Sequence, residues 1–116
     1  LTCWSNDYDF ASAFRRQVET HVRAGDVLVA ISTSGNSSNV VMAAEAANEK
    51  GAWTLGLTGQ GGGKLAGVCT ELLAMPSAAT ERIQEAHLTV IHLFCELLEE
   101  MLYGDGEEAE RMTEAR

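Results

Sequence analysis

Five consecutive apolar residues, Val27 to Ile31 (VLVAI), run directly into six that carry no apolar side chain, Ser32 to Ser37 (STSGNS), and an alanine-rich, helix-like stretch begins at Asn39. A short apolar run rich in β-branched residues suits a strand covered on both faces, as in a parallel sheet. Strand, polar loop and helix in immediate succession make the opening of a strand–crossover unit. That unit places the chain in the α/β class.

The rest of the chain repeats the alternation. Leu1 to Tyr8 is polar after its first residues and reads as irregular. From Asp9 to Val22, apolar residues recur every fourth position at Phe10, Phe14, Val18 and Val22, one stripe of an amphipathic helix that stops at Ala24-Gly25-Asp26. Asn39 to Lys50 is the crossover helix, closed by Gly51. Trp53 to Leu57 is a second strand, Thr58 to Gly63 (TGQGGG) a glycine-rich turn, and Lys64 to Gly67 one helical turn. Glu71 to Met75 is a third strand ending at Pro76, and Glu81 to Tyr103 the longest helix. The expected fold is a three-layer α/β/α doubly wound parallel sheet. With three strands, a helix ahead of the first of them, and Leu1 rather than Met at the start, the pattern is that of such a domain lacking its N-terminal helix and first strand unit. The domain is expected over residues 1–103, with a charged tail over 104–116 that includes the acidic run Glu107 to Glu110.

Charge narrows the partners. The chain has 17 acidic and 8 basic residues, a net charge of -9. Nucleic acid and anionic membrane surfaces are repelled by that balance, and no stretch reaches the ~18 apolar residues of a membrane span. Cys3, Cys69 and Cys95 lack the spacing of a metal site. They fit reduced thiols in a cytoplasmic setting. An anionic ligand cannot be drawn here by bulk charge, so its site needs local donors.

The Ser32–Ser37 loop supplies them. Ligands of open α/β sheets sit beyond the carboxyl ends of the strands. The start of the following helix offers free N–H groups and about half a positive charge. Ser32, Thr33, Ser34 and Ser37 add hydroxyls, and Gly35 permits a turn that a Cβ hinders. Together they form a phosphate cradle without Lys or Arg. The plainer alternative is that Ser34 or Ser37 caps the helix and the rest is connection; one cap accounts for one hydroxyl, not four. The loop is neither a Walker loop nor a dinucleotide fingerprint.

The long helix carries polar interruptions in an apolar girth: Gln84, His87 and His92. Taken alone, a histidine there is a hydrogen-bonded core residue and Gln84 a surface residue. His21, at the end of the first helix, reads as a surface residue favoured by the helix dipole.

At the STSGNS loop the chain resembles the sugar isomerase (SIS) domain family, a flavodoxin-like fold, and within it the phosphoheptose isomerase branch. The resemblance rests on Asn6-Asp7-Tyr8, Gly25 to Ser37 (GDVLVAISTSGNS), Leu57-Thr58-Gly59 with Gly62 to Gly67 (GGKLAG), and Arg82 to Glu96 (RIQEAHLTVIHLFCE). The last segment is the narrower signature. The resemblance implies aldose–ketose isomerisation of sedoheptulose 7-phosphate to D-glycero-D-manno-heptose 7-phosphate, the first step toward an activated heptose for lipopolysaccharide or other surface glycans. It implies that Ser32, Thr33, Ser34 and Ser37 bind the phosphate, and that Asn6, Asp7 and Gln84 contact the substrate. Gln84 and His92 become ligands of a divalent metal, usually zinc, and His92 also transfers protons. A homotetramer with sites at subunit interfaces is implied too. Where the branch carries Asp before the arginine, this chain has Glu81. The family's metal-binding His and its Glu, both ligand and base, belong to the segment ahead of Leu1, so this chain alone is expected to be inactive. A non-catalytic SIS adaptor or sugar-phosphate sensor is the alternative; such a protein needs no proton shuttle at His92.

Spacing limits what two ligands on one helix can do. Gln84 and His92 are eight residues apart, which is ~12 Å of rise and ~80° of rotation. They reach one ion only by leaning together or by coming from two chains, and two donors are too few for zinc.

Overall fold

The VLVAI run forms strand β1 (Val27–Ile31), and the two later apolar runs form β2 (Trp53–Thr58) and β3 (Glu71–Ala74). The computed structural model describes residues 1–104. All strand pairs are parallel, in the order β1-β2-β3. Val27 lies opposite Trp53 and Ile31 opposite Leu57; Leu55 lies opposite Glu71 and Thr58 opposite Ala74. This register brings the carboxyl ends of the strands to one edge. The loops that begin at Ser32, Gly59 and Met75 therefore leave the sheet side by side.

Helices α1 (Thr2–Asp7) and α2 (Ala13–His21) precede β1, and α3 (Ser38–Glu49) crosses from β1 to β2. A 3-10 turn (Gly63–Gly67) lies between β2 and β3, and α4 (Thr80–Tyr103) follows. Parallel strands with helical crossovers are the α/β fold expected. The described chain divides into two compact units, Leu1–Gln84 and a second that begins at Glu85 within α4. The expected tail, beyond Gly104, lies outside the described residues.

α3 approaches the sheet closely because its buried face is almost all alanine: Ala43, Ala44, Ala46 and Ala47 are buried with Val41. They pack with Val18 of α2 and Ala52 in one cluster, and with Ala30 of β1 and Leu65 in another. Buried polar groups on β2 are matched. The Thr54 hydroxyl donates to the Asn48 carboxamide oxygen at 2.9 Å and accepts from the Thr70 N–H at 2.9 Å. Asn48 in turn donates to the Val68 carbonyl at 2.7 Å, tying the end of α3 to the approach to β3.

Three expectations need correction. Thr2–Asp7 is helical rather than irregular. Trp4 and Tyr8 stack at 4.2 Å one turn apart, the Trp4 indole donates to Ser12 Oγ at 2.8 Å, and the Arg16 guanidinium lies 5.5 Å over the Trp4 ring. Aromatic and cation–π contacts thus order a segment with weak local preference. Next, α2 starts at Ala13, not Asp9. The Asp9 carboxylate accepts from the Ser12 N–H and Ser12 hydroxyl, each at 2.7 Å, making a local turn that competes with helix there. Lastly, β1 is not covered on both faces. Ala30 is buried, but Val27, Val29 and Ile31 are 62%, 42% and 44% exposed. β1 ends the sheet, and alternate side chains on it face away from α3. An apolar groove of about 400 Å³ lies beside it, lined by Phe14, Val18, Val22, Leu28, Val29 and Ile31 among others.

α4 leaves apolar surface open as well. Leu88, Leu93, Leu98 and Met101 are exposed. A helix apolar around most of its girth has more such surface than one set of neighbours can cover.

Candidate functional site

The STSGNS loop closes into a tight hydroxyl cluster where β1 meets α3. The Ser32 N–H donates to the Leu57 carbonyl of β2 at 3.0 Å, carrying the sheet ladder one residue past the strand. The chain then turns, with the Gly35 N–H on the Ser32 carbonyl at 3.0 Å. The turn folds Ser32 back onto the start of α3. Its buried Oγ lies 2.9 Å from Ser37 Oγ and 3.5 Å from Ser34 Oγ. Ser34 Oγ also accepts the Asn36 N–H at 3.1 Å.

The capping alternative is answered by Ser37. It is the N-cap residue of α3, yet its side chain makes no capping bond. Its hydroxyl is instead committed to Ser32. In the first turn of α3 the Val40 N–H is taken by the Ser37 carbonyl at 3.1 Å and Asn39 Oδ1 at 2.9 Å, which leaves the N–H groups of Ser38 and Asn39 to a ligand, and no acidic residue stands in that turn to neutralise the dipole. Hydroxyl hydrogens rotate to suit a partner. The junction thus offers several neutral donors and a partial positive charge to one anion. Beside it opens a cleft of about 230 Å³ lined by Thr33, Ser34, Gln60, Ser77, Thr80 and Ile83 among others. This cleft draws on the loops after all three strands, as the parallel register requires.

The glycine-rich stretch after β2 is more than a turn. The Gly59 N–H donates to the Thr33 carbonyl at 2.9 Å, the Leu65 N–H to the Gly35 carbonyl at 3.1 Å, and the Lys64 N–H to Asn36 Oδ1 at 2.9 Å. Gly35 and Gly63 both have positive φ, +67° and +57°. A Cβ on Gly35 would collide with the Gly62 carbonyl oxygen, and one on Gly63 with the Ser34 carbonyl oxygen. Composition gives TGQGGG as a turn; its pairing with STSGNS appears only once β1 and β2 are known to be neighbours.

The other expected site residues stand as follows. Asn6 and Asp7 lie exposed on α1, the Asn6 amide donating to the Asp7 carboxylate at 3.1 Å and the Cys3 thiol to the same carboxylate at 3.3 Å. Gln84 is exposed on α4 at the end of the first unit, and His92 is exposed in the second. His87, by contrast, is 3% exposed, the burial of a structural histidine. Cys3, Cys69 and Cys95 are all free thiols. Burial pushes the Cys69 thiol up, partly opposed by its hydrogen bond with Thr54; the side chain is half-buried against the core cluster of Ala30, Val41, Ala44 and Leu65. Among the described residues no group of three or more His, Cys, Asp or Glu could hold a metal ion. Gln84 and His92 therefore do not make a metal site by themselves.

Known proteins bear on this arrangement directly. The SIS domain family model matches residues 1–59, the segment that holds the hydroxyl cluster. The phosphoheptose isomerase of Rhodospirillum rubrum is 56% identical over 102 residues, 88% of this chain and 54% of the relative. That of Citrifermentans bemidjiense is 52% identical over 106 residues, 91% and 55% of the two chains. Among solved structures, phosphoheptose isomerase GmhA from Neisseria gonorrhoeae superposes with a TM-score of 0.83 at 47% identity, covering 86% of this chain and 56% of that one. A phosphoheptose isomerase from Francisella tularensis gives 0.82 at 32% identity, covering 85% and 53%. The chain thus spans about half the length of the relatives it matches. The matched segment, the strand–loop–helix junction and the parallel sheet agree: the chain belongs to the SIS domain family.

Proposed function

We propose that this chain is the phosphate-holding part of a phosphoheptose isomerase, which interconverts sedoheptulose 7-phosphate and D-glycero-D-manno-heptose 7-phosphate. The observation that carries the proposal is the convergence of Ser32, Ser34 and Ser37 hydroxyls at the start of α3, where the Ser37 side chain makes no capping bond. Relatives at 56% and 52% identity with that activity in their names support it. On this reading Ser32, Thr33, Ser34 and Ser37 hold the phosphate, and the adjoining cleft takes the carbon chain next to it. Asn6, Asp7 and Gln84 contact the sugar.

The reaction moves a proton between C1 and C2 through an enediol. One group takes the proton from carbon and another serves the oxygens. The phosphate is remote from the reacting carbons, so its binding energy serves orientation. His92 is assigned proton transfer at the substrate oxygens, a role that suits a side chain type whose ordinary pKa lies near neutrality. Gln84 and His92 are offered as two ligands of a zinc ion, whose chemistry when bound is to polarise the carbonyl. The remaining ligands and the carbon base lie beyond the residues described. A homotetramer fits the exposed apolar side chains of β1 and α4. A cytoplasmic enzyme feeding heptose to surface glycans completes the reading. No helix among the described residues is long and apolar enough to cross a membrane.

Two substitutions in the full-length gene product separate the roles. Ser37→Ala removes a hydrogen bond to a charged group, so KM for sedoheptulose 7-phosphate rises roughly tenfold or more while kcat changes little. His92→Ala lowers kcat by about 10²-fold or more, with inhibition by inorganic phosphate retained. An unchanged KM in the first variant removes the loop from phosphate binding, and an unchanged kcat in the second removes His92 from the chemistry. Wild-type protein without turnover overturns the isomerase reading itself.

A further inference from the structure

We infer that Asn36 is a positioning residue, which sets the geometry of the anion cradle by clasping it to the glycine-rich loop after β2. The inference rests on the phosphate reading of the Ser32–Ser37 loop and adds a residue that does not itself touch the ligand.

The cradle's donors come from one short segment, so its shape depends on what fixes that segment. Local bonds alone leave it underdetermined: Gly35 to Ser32 and Asn36 to Ser34 are contacts within the loop. Apart from the sheet bond of the Ser32 N–H to the Leu57 carbonyl and the bonds into α3, three ties hold the loop among the described residues, and they run to one partner, the segment from Gly59 to Leu65. Two are backbone bonds, at Thr33 and Gly35. The third is Asn36 Oδ1 accepting the Lys64 N–H at 2.9 Å, and it is the only one of the three that a side chain supplies.

Asn36 therefore spans both sides. Its backbone N–H points into the cradle at Ser34 Oγ, and its side chain reaches out to the 3-10 turn. Releasing the side chain frees the peptide that orients Ser34. Packing on the far side is equally tight. A Cβ on Gly63 would lie 2.8 Å from Asn36 Oδ1 and would collide with the Ser34 carbonyl oxygen. Asn36 is exposed, so truncating it leaves no cavity.

The experiment is a double-mutant cycle in the full-length gene product with Asn36→Ala, Gly63→Ala and the pair. It reads inhibition by inorganic phosphate, KM and kcat for sedoheptulose 7-phosphate, and Tm. Asn36→Ala is expected to weaken phosphate inhibition about three- to tenfold, the worth of one hydrogen bond, and to raise KM in parallel. Its kcat stays within about twofold and its Tm nearly unchanged, which a merely structural role would not give. Gly63→Ala weakens phosphate further. Because both act on one contact, the pair falls short of the product of the single effects. Phosphate inhibition of Asn36→Ala equal to wild type overturns the clasp, as does strict multiplicativity in the cycle. Wild-type protein that phosphate does not inhibit overturns the anion-site reading beneath it. If Gly63→Ala does not fold, Asn36→Ala alone decides.

Discussion

Gly35 is the residue on which the hydroxyl cluster most depends. It sits at φ +67°, with the Gly62 carbonyl where a side chain would project. Gly35→Ala must adopt a left-handed conformation and push two loops apart. A loss of about 2–4 kcal/mol in unfolding free energy is expected, with phosphate affinity falling alongside it. Denaturant titration with and without phosphate checks this; a variant of wild-type stability would mean that the two loops separate freely. Gly35 was legible in the sequence as a turn, because glycine in a Ser-rich loop has few other uses. What it faces was not, since Gly62 is far away in sequence and meets it only through the β1–β2 pairing. Gln84 and His92 are the reverse case. Periodicity alone makes them a surface residue and a core residue, and only the RIQEAH…IH resemblance gives them a role.

Among the elements, those set by local pattern emerged nearly as read. β1, α3, β2, β3 and α4 fall within a residue or so of their expected limits, because each has a clear period or a clear apolar run. α1 was missed because its stability comes from Trp4, Tyr8, Ser12 and Arg16 acting together, which no period encodes. The exposure of β1 was missed for a different reason. VLVAI states that a strand is apolar, not which neighbours cover it. The link between α3, β2 and the approach to β3 can be tested at Thr54, which is fully buried and bonds to both Asn48 and Thr70. Thr54→Val keeps the shape but strands the Asn48 and Thr70 groups. It should cost about 1–3 kcal/mol in chemical denaturation without altering KM. A neutral result would mean that water replaces the hydroxyl.

For the whole molecule the proposed site sets an anion in an acidic chain, net charge -9, on the hydroxyls, amides and helix terminus of the Ser32–Ser37 junction. Such a cradle differs from one built on Lys or Arg in how it responds to ionic strength. Sites that pair phosphate with side-chain cations lose affinity steeply as salt is added. Here the short-range donors are barely screened, whereas the long-range repulsion from the acidic surface is. Between about 50 and 300 mM of an inert chloride salt, the phosphate Kd should stay level or tighten; a several-fold weakening by calorimetry would reveal a cation in the site. Such a protein would then keep its grip as the surroundings grow saltier, and ligand choice would rest on fit rather than on attraction.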